Sequence, residues 1–166
     1  MSFASDTKNE LARIEPEKKC CMLAEISGFL RASGSIGLLG FGTVGGGVYE
    51  FVQARSDMKI EYVLSRRPRP ELRCTVTDDF SRIVADPAVE VVIEAIGGLH
   101  PAYEYVTAAL RAGKHVITAN KLLIAAHYRE LVTLAQKNGV ALRCSAAVGG
   151  GIPWLSNLEK TLEQEP

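Results

Sequence analysis

One short segment of the sequence has the glycine spacing of a turn that cradles phosphate groups. It reads Gly40, Phe41, Gly42, Thr43, Val44 and Gly45. In such a turn the first glycine permits a tight bend, the second lets a ligand approach the backbone, and the third lets a helix lie close to a sheet. A helix beginning here would offer free N–H groups and its positive dipole end to a pyrophosphate. The alternative is a structural turn without a ligand.

The residues after the second predicted strand indicate which dinucleotide the turn would hold. In NAD-binding domains an acidic residue about 20 residues further on binds a ribose hydroxyl. Here that strand ends at Leu64 and is followed by Ser65, Arg66 and Arg67, without a carboxylate. Guanidinium groups bind phosphates through paired hydrogen bonds, so we predict NADP, with NAD as the alternative. A solvated basic loop is the other interpretation of these residues.

The elements that must position these residues alternate along the chain between apolar strands and helices. The predicted strands are residues 36–39, 60–64, 74–76, 89–93, 115–118 and 140–143. The predicted helices are residues 44–55, 79–85, 101–112, 128–138 and 152–163. This alternation predicts an α/β fold, a doubly wound parallel sheet, over residues 36–166. Residues 1–35 predict a short helical extension ahead of it.

The composition is that of a soluble globular protein. The 166 residues are 47% hydrophobic and 23% charged, with a formal net charge of zero, which gives no bulk attraction for nucleic acid. No apolar run approaches the roughly 20 residues that would span a membrane. The cysteines have no CxxC spacing, so we expect reduced thiols in a cytoplasmic protein.

Together with the glycine turn, three further segments resemble homoserine dehydrogenase. They are residues 94–98, 118–121 and 146–153, in that family's order and spacing. The resemblance covers about residues 36–161. It implies a Rossmann NAD(P)-binding domain of an oxidoreductase that interconverts L-homoserine and L-aspartate 4-semialdehyde, on the way to threonine and methionine.

The resemblance also implies roles for individual residues. Asn120 and Lys121 would lie beside the nicotinamide, with Lys121 binding the cofactor or taking part in proton transfer. We interpret Glu94 as a strand-end residue oriented by backbone donors, and not as a general base. The nicotinamide-ribose crevice would be lined by Ala95, Ile96, Gly97 and Gly98.

The last of these segments departs from the family's pattern. The resemblance implies a monovalent cation held by backbone carbonyls near Val148, Gly150 and Ile152, together with a glutamate. Ser145 stands where that glutamate would be, and a neutral hydroxyl is a poorer partner for a hard cation.

The family's substrate domain would follow this last segment, and the sequence continues for only about one helix beyond it. We therefore expect a chain that binds NADP(H) but acts on L-homoserine only if a substrate domain is supplied.

Residues 1–36 resemble a different family, the start of the sporulation transcription regulator WhiA. The matching segments are residues 1–5, 8–11, 19–21, 24–25 and 30–36. A fused or rearranged gene fragment, a natural helical cap and a chance likeness are the three interpretations. Basic and acidic residues balance here, which disfavours DNA binding. A noncatalytic NADP(H)-binding module that forms a homo-oligomer is a further alternative, because Ile152, Trp154 and Leu158 would favour association if exposed.

Overall fold

The computed structural model describes residues 34–149, which form a six-stranded parallel sheet and five helices. The strands are β1 (Gly34–Leu39), β2 (Met58–Leu64), β3 (Thr75–Thr77), β4 (Val89–Glu94), β5 (His115–Thr118) and β6 (Leu142–Arg143). The helices are α1 (Thr43–Gln53), α2 (Phe80–Ala85), α3 (Ala102–Arg111), α4 (Lys121–Lys137) and α5 (Ser145–Gly149). The two N-terminal helices, the resemblance to WhiA and the helix predicted at 152–163 lie outside the described residues.

The strands lie in the order β3-β2-β1-β4-β5-β6, and every neighbouring pair is parallel. In sheets with this order the direction of winding reverses between β1 and β4, and ligands bind where the strand ends open into a crevice. Leu39 at the end of β1 pairs with Leu64 of β2 and with Glu94 of β4, so the three ends are level. The predicted doubly wound α/β fold is confirmed.

Apolar side chains cover both faces of this sheet, as expected for parallel strands buried on two sides. Leu38 packs in the cluster that includes α1, whereas its neighbour Leu39 packs in the cluster that includes α2, α3 and α4. On the α1 side, the buried residues of the helix are Val48, Tyr49 and Val52. On the other side, the helices contribute Ile83, Val106, Ala109, Leu110, Leu123, Leu131 and Ala135. The two layers hold the strand ends in fixed relation.

Helix α4 begins earlier than the sequence analysis predicted. The pattern places its start at residue 128, but the helix begins at Lys121. Asn120 is its N-cap, and the Asn120 Oδ1 accepts a hydrogen bond from the Leu123 N–H at 3.2 Å. This bond satisfies one of the amide groups that a helix start leaves free. The extra turns place Lys121 on a helix rather than in the predicted loop.

The remaining differences are at element ends, apart from one short helix. Strand β6 spans Leu142–Arg143 and not 140–143, because the Val140 N–H bonds to the Ala135 carbonyl at 3.0 Å and closes α4. Helix α5 was not predicted. Strand β1 begins at Gly34, where the sequence pattern predicts the end of a helix. Within residues 34–149, every helix is too short or too polar to cross a membrane.

Candidate dinucleotide-binding site

The glycine turn connects β1 to α1 at the edge of the sheet where the crevice opens. Gly40 has a φ of +93°, and a Cβ on Gly45 would lie 2.2 Å from the Gly40 carbonyl oxygen. Neither position can hold a side chain without moving the backbone. A Cβ on Gly42 would meet nothing within 4 Å, so this residue lies against open space. The turn is closed on its protein side and open on the side where a pyrophosphate would bind.

The start of α1 is suited to a negatively charged group. Gly42 is the N-cap and supplies no side-chain acceptor, and the first turn of the helix contains no acidic residue. The first amide groups of a helix lack partners within it and carry the positive end of its dipole. Thr43 and Val44 are exposed beside them, and Val44 has 49% of its surface accessible. These residues fit the pyrophosphate of a dinucleotide.

An open pocket of about 670 Å³ lies beside the turn, beyond the ends of β2 and β3. Its lining includes the predicted phosphate-binding residues Ser65, Arg66 and Arg67, and also Arg82 from α2. The Ser65 hydroxyl donates to the Arg67 carbonyl at 2.8 Å and accepts from the Arg67 N–H at 3.2 Å. Ser65 therefore shapes the loop, while the side chains of Arg66 and Arg67 extend from exposed positions.

Aromatic contacts join this pocket to the glycine turn. The Arg69 guanidinium lies over the Phe41 ring, 5.2 Å from its centroid, and donates to the Phe41 carbonyl at 3.4 Å. The Phe41 and Tyr49 rings lie nearly perpendicular with their centroids 5.7 Å apart, and the Tyr49 hydroxyl accepts from the Arg73 N–H at 2.7 Å. The loop between β2 and β3 is thus fastened to α1, and we call the pocket and its loop the arginine pocket.

Cys74 also lines the arginine pocket. Burial raises the pKa of its thiol, and the negative charge of Glu61 acts in the same direction. Cys74 is therefore a protonated thiol at neutral pH, which makes it a weak nucleophile.

On the other side of the glycine turn, the ends of β4 and β5 carry a buried carboxylate. Glu94 is fully buried. Its Oε1 accepts from the N–H groups of Ile96 at 2.8 Å and Gly97 at 3.2 Å, and its Oε2 accepts from the Thr118 hydroxyl at 2.5 Å. The interpretation of Glu94 as a residue held by backbone donors is confirmed. The donors belong to the loop of residues 95–98, which we call the crevice loop.

Asn120 ties the crevice loop to helix α4. Its Nδ2 donates to the Gly98 carbonyl at 2.5 Å, while its Oδ1 caps the helix. The side chain is almost fully buried, so Asn120 orders the backbone around the crevice. Lys121 follows as the first residue of α4 and is exposed at the same edge of the sheet.

The structure brings the predicted residues of the turn, the arginine pocket and the crevice loop to one edge of the sheet. Sequence reasoning missed Arg69, Arg82 and Thr118, whose places depend on β3 lying beside β2 and β5 beside β4. The proximity of such residues has no local signal in the sequence.

The predicted cation site is only partly within the described residues. Val148 belongs to α5, whereas Gly150 and Ile152 lie outside the described part of the chain. Among residues 34–149, no cluster of three or more His, Cys, Asp or Glu side chains could hold a metal ion. Such a cluster is a different kind of site from one made of backbone carbonyls, so the monovalent cation stays a prediction.

Comparison with known proteins identifies the family of this domain. Residues 40–145 match the model of the homoserine dehydrogenase NAD-binding domain. Among curated relatives, the homoserine dehydrogenase of Pseudomonas aeruginosa is 35% identical over 139 residues and that of Bacillus subtilis is 38% identical over 144. The matches cover 76% and 78% of this chain but 32% and 33% of those proteins, so the chain spans about a third of their length.

Solved structures give the same result. The homoserine dehydrogenase from Thiobacillus denitrificans superposes with a TM-score of 0.70 at 35% identity, over 79% of this chain and 33% of that one. The Staphylococcus aureus homoserine dehydrogenase at pH 8.5 gives a TM-score of 0.61 at 36% identity, over 70% and 33% of the two chains. The glycine turn, the crevice loop and the start of α4 all lie within the matched residues 40–145. The chain therefore belongs to the family of homoserine dehydrogenase NAD-binding domains.

Proposed function

We propose that this domain binds NADP(H) and forms the cofactor-binding part of a cytoplasmic homoserine dehydrogenase. The single observation that supports this most strongly is the arginine pocket, which lies beside an open glycine turn at the edge of a 3-2-1-4-5-6 sheet. When bound, the cofactor would accept a hydride from L-homoserine, giving L-aspartate 4-semialdehyde, or donate one in the reverse direction.

Different residues bind different parts of the cofactor. The amide groups at the start of α1 bind the pyrophosphate, and Gly42 leaves space for it. The crevice loop lines the nicotinamide ribose with backbone and with Ile96, whose side chain is 37% exposed. Lys121 is a candidate to bind the cofactor or to take part in proton transfer. Lys121 is the first residue of α4 and follows Asn120, whose side chain donates to the Gly98 carbonyl of the crevice loop.

The preference for NADP rests on the charges around the arginine pocket. Arg66, Arg67 and Arg82 line it, and Asp78 supplies one carboxylate among the described lining residues. A 2′-phosphate adds negative charge that guanidinium groups bind through paired hydrogen bonds. A ribose 2′-hydroxyl would need an acceptor at the end of β2, where Ser65 has its hydroxyl engaged with Arg67.

The test is a comparison of dissociation constants for NADPH and NADH, measured by titration of the purified chain. We expect tighter binding of NADPH. Arg66→Ala should weaken NADPH binding about tenfold and leave NADH binding unchanged, since a hydrogen bond to a charged group contributes about 1.5–3 kcal/mol. Arg111→Ala, at the last turn of α3, is the matched control and should change neither. Equal affinities for NADPH and NADH would contradict the preference.

The substrate proposal has its own assay. A protein that contains this domain together with the regions that make up the rest of its relatives should reduce NADP in the presence of L-homoserine. L-serine, one carbon shorter, is the control and should give little reduction. Equal rates with both amino acids would contradict homoserine as the substrate, whatever the cofactor preference.

A further inference from the structure

We infer that Glu94 is a positioning residue that fixes the crevice loop and the start of α4 in one arrangement around the nicotinamide end of the cofactor. The inference rests on the proposed function, because it concerns the geometry of the same site. It adds a residue that does not touch the cofactor and acts through the backbone of Ile96 and Gly97.

The chemistry of a buried carboxylate supports this role. Removing a charged group from water is costly unless its oxygen atoms receive hydrogen bonds, and Glu94 receives three. Two of them come from consecutive backbone amides of the crevice loop. Gly97 and Gly98 give that loop wide backbone freedom, so its path has to be fixed by contacts of this kind.

The hydrogen bonds continue from Glu94 around a closed ring. Thr118 donates its hydroxyl proton to Glu94 and accepts from the Asn120 N–H at 3.0 Å, so the direction of the hydroxyl is set. Asn120 then donates to the carbonyl of Gly98, which brings the ring back to the crevice loop. Lys121 is covalently next to Asn120. A change at Glu94 therefore reaches both walls of the crevice.

The position of the ring argues for a ligand-related role beyond stability. Apolar side chains of similar size often replace buried polar groups without loss of stability, so such groups are most useful where geometry must be defined. The ring lies at the carboxyl ends of β4 and β5, where cofactors bind in this topology. Its members do not line the arginine pocket. Perturbing Glu94 should therefore affect the two ends of NADPH unequally.

The experiment compares two probes on the full chain. NADPH occupies both ends of the site, whereas adenosine 2′,5′-bisphosphate carries the 2′-phosphate but no nicotinamide. In Glu94→Gln the amide oxygen can still accept from the backbone, but the NH₂ group can only donate to the Thr118 oxygen, so the Thr118 hydroxyl proton loses its acceptor. We expect NADPH to bind about tenfold more weakly and adenosine 2′,5′-bisphosphate to bind as before.

Substitutions at Thr118 keep the test valid if Glu94→Gln does not fold. Thr118→Val removes the hydroxyl at nearly constant size and should give the same selective loss, while Thr118→Ser keeps the hydroxyl and should bind NADPH like the unaltered chain. The fluorescence of the reduced nicotinamide in bound NADPH should differ between Thr118→Val and the unaltered chain. In Thr118→Ser it should match that of the unaltered chain.

The outcomes distinguish a failure of the positioning role from a failure of the proposed function. Equal weakening of both probes, or unchanged NADPH binding in Glu94→Gln and Thr118→Val, would overturn the positioning role alone. If the unaltered chain bound neither probe, the proposed function would be overturned, and this inference with it.

Discussion

The two ends of the candidate site are built in opposite ways. The arginine pocket is lined mainly by the loop between β2 and β3, which contains no helix or strand, and Arg66 and Arg67 are exposed to water. The side with the crevice loop is formed by strand ends and a helix N-cap, and its polar groups Glu94, Thr118 and Asn120 are buried. One end presents exposed positive charge, and the other presents a fixed arrangement of buried polar groups.

The two ends can therefore carry different properties of a binding site. An exposed guanidinium keeps its hydration while it waits for a ligand, so it can provide selectivity without destabilising the fold. A buried polar group must be bonded in every state, so it can provide orientation but tolerates little change. We therefore expect cofactor preference and cofactor orientation to respond to different perturbations.

The largest effect is expected from a substitution in the glycine turn, because both ends of the site adjoin it. Gly45→Ala places a Cβ 2.2 Å from the backbone oxygen of Gly40, and overpacking of this kind costs about 3 kcal/mol. We expect a lower thermal midpoint and weakened binding of both NADPH and adenosine 2′,5′-bisphosphate. Calorimetry and titration would measure the two effects.

Gly46→Ala is the matched control for this change, because a Cβ at Gly46 meets nothing within 4 Å. It should raise stability by about 0.5–1 kcal/mol, since alanine is a better helix residue than glycine. If both substitutions had the same effect on the thermal midpoint, the close approach at Gly45 would not be what requires a glycine.

A change of ionic strength should have a smaller effect, confined to the end of the site that carries exposed charge. Raising ionic strength from about 0.1 M to about 1 M shortens the screening length from about 10 Å to about 3 Å. The dissociation constant of NADPH should increase several-fold more than that of NADH, because the two share a pyrophosphate and differ at the 2′-phosphate. Parallel salt dependences would mean that the exposed arginines do not contact the 2′-phosphate.

The smallest expected effect is at Cys74 in the arginine pocket. Because burial raises the pKa of its thiol, the reactive thiolate is scarce below that pKa and becomes abundant only as the pH rises through it. Alkylation by iodoacetamide at pH 7.5 should be slower than in the unfolded chain and slower again with bound NADPH. Peptide mass spectrometry separates Cys74 from the other cysteines. Labelling that NADPH leaves unchanged would place the ligand outside this pocket.

The features that the sequence predicted best are those fixed by neighbours along the chain. The glycine turn is such a feature, since Gly45 meets Gly40 within one turn. The doubly wound parallel sheet also followed from the alternation of strands and helices along the chain. The capping role of Asn120 was missed, although an asparagine three residues before the buried Leu123 is a helix-start signal.

Other contacts could not be predicted because they join residues that only the folded sheet brings together. Arg69 reaches Phe41, and Thr118 reaches Glu94, across pairs of elements that are distant in the sequence. The backbone donors to Glu94 were predicted correctly. Its bond to Thr118 was not, because that bond depends on the register of β4 with β5. Local pattern identifies the parts of this site, and sheet register decides which of them touch.

The two outermost strands of the described sheet are also its shortest. β3 has three residues and β6 has two, whereas the strands between them have four to seven. An outer strand presents unpaired N–H and C=O groups to which a strand from another molecule can add. Because β3 and β6 are short, each offers an incoming strand few groups for hydrogen bonds. The described sheet is therefore a poor template for edge-to-edge aggregation, even though its interior strands are strongly apolar.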